Sequence, residues 1–413
     1  MAGGAASPAV ARRSRPGYDP SLLGKLWVVV WEQVYCTWLV VAAGLPFLWD
    51  IFKTNVLQRA DERLPGSIAD LLDAKAFSRL SGRAVSKVEY SVRLEQHANS
   101  TDRAWFKVRF EGEREDTFIF AKVHAKNFLV RAIMSLFDVY RNELHAYAAV
   151  KMPVRVPAVY IAQWSRSRFC LAMEDLRHEK VVFPNLWETT LDAATAKRFL
   201  TTLATIHAKF WNNAPHGCWD DTNRPYQGKV MGMYTLRNVE RSCPGLISDD
   251  MHAAFTTALW HYDKIRAFYS RPGAKTMVHG DTHTGNFFMQ GDQVGTFDFQ
   301  VKSEEHPMRD VTYFLCSSYP EEHLARDEKM LINFYRDELA RLGVPKDQVP
   351  GLDECWLQYR MQTWYTLYAF VFSGGFADLM DEYQTRVGVK RIVAMMDRVD
   401  AAGALYDMLD GKI

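Results

Sequence analysis

The sequence has six cysteines, Cys36, Cys170, Cys218, Cys243, Cys316 and Cys355, and no C-x-x-C pair among them. That scatter gives neither a zinc-binding spacing nor a disulfide framework. Buried free thiols in a reducing compartment are the expectation. An excess of one charge is also missing: 50 Lys and Arg face 49 Asp and Glu, for a formal net charge of +1. A nucleic-acid partner, which calls for a basic face, is therefore not expected. No internal repeat is found. What is present is ordinary globular material. The 413 residues, 48% of them hydrophobic, are enough to bury a large core and form two lobes. Aromatics make up 13% and include 12 Trp. Most should fill the core, although some could line an apolar pocket.

The polar residues that stand out lie between His279 and Gln300, in His-Gly-Asp-Thr-His-Thr-Gly-Asn286 and then Asp298-Phe-Gln300. Asp281 and Asn286 are five apart, as are the Asp and Asn of the kinase catalytic loop H-R-D-x-x-x-x-N. After Asn286 come an apolar run (Phe287–Met289), a Gly291-Asp292 turn signal and a second run (Val294–Phe297). This predicts a tight β-hairpin, which would return Asp298 to the side of Asn286. A carboxylate and an amide oxygen so placed can hold Mg2+, which takes hard oxygen ligands together with substrate phosphates. Asp281 would be left to accept the proton of an attacking hydroxyl. A surface hairpin with incidental polar residues is the competing reading. Four such residues in one order and spacing weigh against it.

His-Gly-Asp-x-His-x-Gly-Asn followed by Asp-Phe-Gln resembles the aminoglycoside phosphotransferase and choline kinase superfamily. Its ecdysteroid kinase-like (CHK kinase-like) branch is the nearer likeness. The resemblance implies ATP and Mg2+ as cofactors, Asp281 as catalytic base, and Asn286 and Asp298 as metal ligands. It implies that His279 braces the loop and that Asp310 anchors it. From the residues alone, Asp310 could equally be the N-cap of the following helix. The implied fold is α+β and two-lobed, protein-kinase-like, with a small antiparallel β N-lobe and a larger, mostly helical C-lobe.

Along the chain, residues 1–22 are expected to be a disordered tail carrying Arg12, Arg13 and Arg15, with an organelle transit peptide as the alternative. Residues 23–64 form an extra hydrophobic N-terminal segment, expected to be helical. Within it, 26–49 is long enough to cross a bilayer. Glu32, Gln33 and Pro46 interrupt the stretch, and Pro46 is expected to kink or end the helix. A membrane anchor, an interfacial helix and a helix packed on the body of the protein all remain open; membrane contact is the expectation adopted, in a protein otherwise placed in the cytoplasm. Residues 65–175 read as the N-lobe. They comprise a helix over 65–80 with Ser67 as N-cap, then strands at Val85–Leu94, Ala104–Phe110 and Thr117–His124.

Lys122, the lone charge in Phe118-Ile-Phe-Ala-Lys-Val123, resembles the phosphate-binding lysine of V-A-I-K. Glu143 resembles its helical partner. A strand-edge Lys and a solvated Glu are the plainer alternatives. The turn Glu95–Arg103, where kinases place glycines over the phosphates, has none. Asn99, Ser100 and Thr101 are the phosphate contacts it offers. Phe169–Leu176 resembles the inter-lobe strand, with adenine expected on the backbone of Met173, Glu174 and Asp175. Residues 176–413 are the helical C-lobe, holding the catalytic loop and the acceptor pocket; His207, on the helix over 191–212, is expected to brace the core or the loop. The function implied is an ATP-dependent kinase of a small-molecule hydroxyl. A catalytically inactive scaffold held at a membrane is the alternative, motivated by the missing glycines and the unusual N-terminus. A protein kinase is disfavoured, because Asp298 and Asp310 leave no room for an activation loop. The acceptor's identity and the oligomeric state are not legible.

Overall fold

A computed structural model of the chain describes residues 21–93, 100–188, 190–217, 230–376 and 379–413. The Arg-bearing tail before residue 21 and positions 94–99 of the glycine-free turn lie outside them.

The fold is α+β with two lobes. The first is built on a five-stranded antiparallel sheet. In chain order it comprises α1 (Leu22–Phe52), α2 (Ala74–Ser81), β1 (Val85–Arg93), β2 (Thr101–Phe110), β3 (Thr117–His124), α3 (Phe128–Leu136), α4 (Val139–Ala149), β4 (Val159–Trp164) and β5 (Phe169–Glu174). Sheet order is β1-β2-β3-β5-β4. The period of two that makes β2 a strand is visible in its burial: Ala104, Phe106, Val108 and Phe110 face inward, while Arg103, Trp105 and Lys107 alternate with them. Phe77, Leu71, Ile119, Ala121 and Val123 complete that core.

The second lobe is mostly helical. It contains α5 (Ala193–Lys209), α6 (Val230–Ser242), α7 (Asp249–Trp260), α8 (Tyr262–Tyr269), β6 (Thr276–Val278), β7 (Phe287–Gln290), β8 (Gln293–Thr296), β9 (Ser303–Glu305), α9 (Met308–Ser318), α10 (Glu321–Arg341), α11 (Leu352–Gly375), α12 (Glu382–Arg398) and α13 (Ala401–Leu409). Helix α11 is the central post: Tyr359, Met361, Leu367 and Val371 are buried on different faces, as expected of a helix surrounded by others. Phe199 and Leu203 of α5 and Phe314 of α9 pack into the same core.

Two local expectations are corrected. The helix expected over 65–80 is a 3-10 turn, Ile68–Leu72, followed by the separate α2. Asp70 gathers the first piece by accepting from the Gly66 and Ser67 amides and the Ser67 hydroxyl. Asp73 then starts the second by accepting from Lys75 N at 2.9 Å. Pro46, expected to kink or end the first helix, does not end it: α1 continues past it to Phe52. The turns beyond Pro46 are held by docking. Phe47 is buried against Phe128, their ring centroids 5.7 Å apart. The Asp50 carboxylate accepts from Ser165 Oγ, Ser167 N and Ser167 Oγ at 2.6–2.8 Å. Among the described residues no helix is long and apolar enough to cross a membrane.

Asp50→Ala leaves the Ser165 and Ser167 donors without their acceptor. It should lower stability in chemical denaturation by about 1–3 kcal/mol and open α1 to limited proteolysis. Unchanged stability and an unchanged cleavage pattern would show that Asp50 does not hold the helix.

Candidate active site

The site grows from the loop after β6. This strand pairs with β9, with Thr276 opposite Glu305 and Val278 opposite Ser303. Everything between the two is thus a loop whose ends are tied together. Inside it β7 and β8 form the hairpin, closed at Gln290 and Gln293 around Gly291 at φ 58°. At its open end Phe297 N and Thr296 Oγ1 both donate to the Asn286 carbonyl, at 3.1 and 2.8 Å. This return brings Asp298 to the level of Asn286.

The loop hangs on Asp310. Its buried carboxylate accepts from His279 N at 2.7 Å and Gly280 N at 2.8 Å, and its carbonyl accepts from Thr282 Oγ1 at 2.7 Å. Both carboxylate oxygens are committed to the loop, and the N-cap position of α9 is taken by Pro307, so Asp310 is not the cap. His207, with Nε2 3.1 Å from Asp310 and Nδ1 2.6 Å from the Tyr335 hydroxyl, braces the anchor from α5. Gly280 has no alternative residue. Its φ is 84°, and a Cβ there would stand 2.5 Å from the Val301 carbonyl oxygen. His279 Nε2 donates to the Phe297 carbonyl at 2.9 Å and its Nδ1 accepts from Asp281 N at 3.3 Å, so it ties the two halves of the stretch together.

Asp281 then points into the cleft. One of its oxygens accepts from Asn286 Nδ2 at 3.0 Å and lies 3.6 Å from His283 Nε2. Burial would raise the Asp281 carboxyl, but His283 outweighs it, with help from a hydrogen bond to Tyr313, and holds the group well below the usual carboxylate range. The converse holds for His283. Burial opposes its charge, and the Asp281 carboxylate prevails and raises its pKa.

Asp298 adopts the left-handed region at φ 70°, a conformation an Asp tolerates at a cost and one that clusters at functional sites. Its amide donates to the Tyr147 hydroxyl at 3.0 Å. Its carboxylate lies 3.3 Å from Lys122 Nζ. Lys122 in turn is in direct contact with Glu143 on α4. Burial works against the Lys122 charge, but Asp298 and Glu143 outweigh it and raise its pKa. The structure therefore brings Lys122, Glu143 and Asp298 into one ion cluster, with Asn286 and Asp281 next along the loop.

Several functional residues escaped the sequence. Asn142 and Tyr147 flank Glu143 on α4. Asn142 Nδ2 donates to the Gln300 and Lys302 carbonyls at 2.8 and 3.1 Å, and Lys302 Nζ donates to Asn142 Oδ1 at 2.5 Å. One face of α4 thus clamps residues 298–302, and the i, i+4 spacing of Glu143 and Tyr147 was the available signal. Arg103 is directly opposite Lys122 in the β2–β3 ladder, lines the cleft, and helps hold Asp298 charged. Thr101, expected in the phosphate turn, belongs to β2 and is buried, paired with His124. Ser100 lines the cleft, while Asn99 lies outside the described residues.

The adenine expectation loses its donors. Glu174 N donates to the Ala158 carbonyl at 2.8 Å and Asp175 N to the Phe118 carbonyl at 3.0 Å. The Glu174 side chain is paired with Arg155, and that of Asp175 with Arg177. Met173 is buried in the sheet between β3 and β4. Sheet pairing and ion pairs occupy these groups, so Glu174 and Asp175 present no free backbone N–H to a base.

Asp281, Asp298 and Asn286 share a cleft of about 960 Å3 whose lining also includes Trp187, Tyr313, Tyr365 and Phe372. Among the described residues no three His, Cys, Asp or Glu gather as a metal cage. The donor set suits Mg2+ nonetheless: one carboxylate, Asp298, and the oxygen of Asn286, whose Nδ2 is spent on Asp281. Mg2+ takes its other oxygens from phosphate and water.

Residues 230–343 match the model of the ecdysteroid kinase-like family, and this span holds the loop, Asp298 and Asp310. No curated protein matches the chain. Similar solved structures include a choline/ethanolamine kinase family protein from Mesorhizobium loti (11% identity over 80% of this chain and 98% of that one, TM-score 0.40). Choline kinase from Cryptosporidium parvum Iowa II is 11% identical over 79% of this chain and 91% of its own, with a TM-score of 0.41. Plasmodium vivax ethanolamine kinase is 8% identical over 79% and 83%, with a TM-score of 0.39.

Proton NMR of the histidine rings checks the electrostatics. In the native chain His283 should titrate above 6.5. In Asp281→Asn the largest raising partner is gone, while Asp298 still favours the charged ring and burial opposes it, so the midpoint should fall. Identical midpoints would mean that the two side chains do not form a charged pair.

Proposed function

We propose that this chain transfers the γ-phosphoryl group of ATP to the hydroxyl of a small molecule. The observation that carries the reading is the convergence, on one cleft, of Asp281, Asn286, Asp298 and the Lys122–Glu143 pair. Phosphoryl transfer asks little covalent chemistry of a protein; positioning and charge neutralisation dominate. Asn286 and Asp298 would hold Mg2+, which when bound neutralises the phosphate charge.

The chain's own residues do the rest. Lys122, kept protonated and aimed by Glu143, binds the phosphates. It touches Asp298 at 3.3 Å, so phosphates lying against Lys122 lie against Asp298 as well. Arg103, its cross-strand neighbour, adds a second cation from the lobe whose covering turn has no glycine. That weakens the part of the case for an inert scaffold that rested on the missing glycines. Asp281 orients the acceptor hydroxyl and takes its proton. A base held this far down stays ionised, and a loose transition state does not need a stronger one. Trp187, Tyr313, Tyr365 and Phe372 favour an acceptor with an apolar body presenting one hydroxyl to Asp281.

Asp281→Asn is expected to lower kcat by about 10²–10⁴-fold while the protein still shows a thermal shift with ATP and Mg2+. Undiminished turnover would remove Asp281 from the role assigned to it. Arg103→Gln should raise KM for ATP more than it lowers kcat. An unaltered KM would mean that Arg103 does not meet the nucleotide.

A further inference from the structure

Helix α1 is left over by the chemistry. It runs for 31 residues, roughly 45 Å at 1.5 Å per residue. Among the described residues its final turns are the ones that dock on the first lobe, through Phe47 and Asp50. Away from those contacts an apolar row faces outward. Leu23, Trp27, Val30, Val34, Val41 and Leu45 recur at intervals of three, four and seven, so they share one face of the helix. All six are more than half exposed, Leu23 at 79% and Trp27 at 69%. The row continues through Leu48 to Phe52.

A second element presents exposed apolar residues near the docked end of α1. Phe128 and Leu129, at the start of α3 and beside Phe47, are 53% and 63% exposed. Soluble monomers seldom present so many exposed large apolar residues along one helix without a partner for them. Trp27 and Trp49 stand near its two ends, the residue type that settles at the headgroup level of a bilayer. Charge favours the same partner. Residues 1–26 carry Arg12, Arg13, Arg15 and Lys25 against one acid, Asp19, a bias that complements anionic headgroups.

We propose that α1, with the start of α3, is a monotopic membrane-binding surface that lies in the interface of an anionic bilayer, apolar row inward, and holds the kinase-like body at the lipid. The helix does not cross: its C-terminal turns are fixed to the first lobe through Asp50. This assignment stands independently of the phosphotransferase reading.

Cosedimentation of the full chain with vesicles of phosphatidylcholine and phosphatidylserine tests it. The protein should pellet with these vesicles, less with phosphatidylcholine alone, and less as salt rises. Val30→Glu/Leu45→Glu, at two exposed positions, should weaken binding by about tenfold or more with an unchanged melting temperature. Asp281→Asn should pellet like the native chain, which separates this claim from the catalytic one. Native protein staying in the supernatant, or the double variant pelleting as well as native, would overturn the proposal. So would resistance of the bound protein to alkaline carbonate, which indicates a span. A native dimer that the double variant converts to a monomer would assign the face to a second copy of the chain instead.

Discussion

One buried ammonium group sets the relation between the parts of this protein. Lys122 rises from the sheet to meet Glu143 of the helix packed beside it and Asp298 of the loop from the other lobe. A charge so thoroughly removed from water is tolerable only when its partners are in place. The strand, the helix and the loop therefore cannot shift independently without leaving that charge exposed to a low-dielectric interior. The same helix grips the loop's backbone through Asn142 and Tyr147. Sheet, α4 and the segment after the hairpin act as a single unit for this reason.

A second buried charge fixes the rest of the loop. Asp310 receives two amides and is backed by His207 and Tyr335, so the turn carrying Asp281 is held by a carboxylate that itself cannot move. The strained backbone of Asp298 and the forced glycine at 280 are consequences of threading the chain between these two fixed points. The positions of the two cleft-facing acids are thus over-determined by packing and hydrogen bonds before any ligand arrives, which is what catalysis by positioning requires.

Much of this was legible in residue order. The strands and the hairpin at Gly291-Asp292 follow from periodicity and turn chemistry, the nearness of Asn286 and Asp298 from that hairpin, and Lys122 and Glu143 from the family resemblance. What escaped depends on three-dimensional register. Arg103 reads as the end of a loop until β2 is laid against β3, and Asn142 and Tyr147 read as ordinary helix polars until α4 is seen against residues 298–302. The engaged amides of Glu174 and Asp175 escaped for a related reason: a backbone N–H is free or taken according to sheet pairing, which the letters Glu-Asp-Leu do not reveal. Pro46 does not end α1 because tertiary docking, through Phe47 and Asp50, holds the turns beyond it. The family resemblance marked a stretch of chain; burial and register decided which of its atoms face the cleft.

The most direct test of the account is a crystal structure with Mg2+ and a non-hydrolysable ATP analogue. The account predicts a metal ion held by Asp298 and the Asn286 amide oxygen, phosphates against Lys122, and the Asp281 carboxylate facing the γ-phosphate across the acceptor cleft. Nucleotide bound away from Lys122, or a metal that leaves Asp298 untouched, would contradict it.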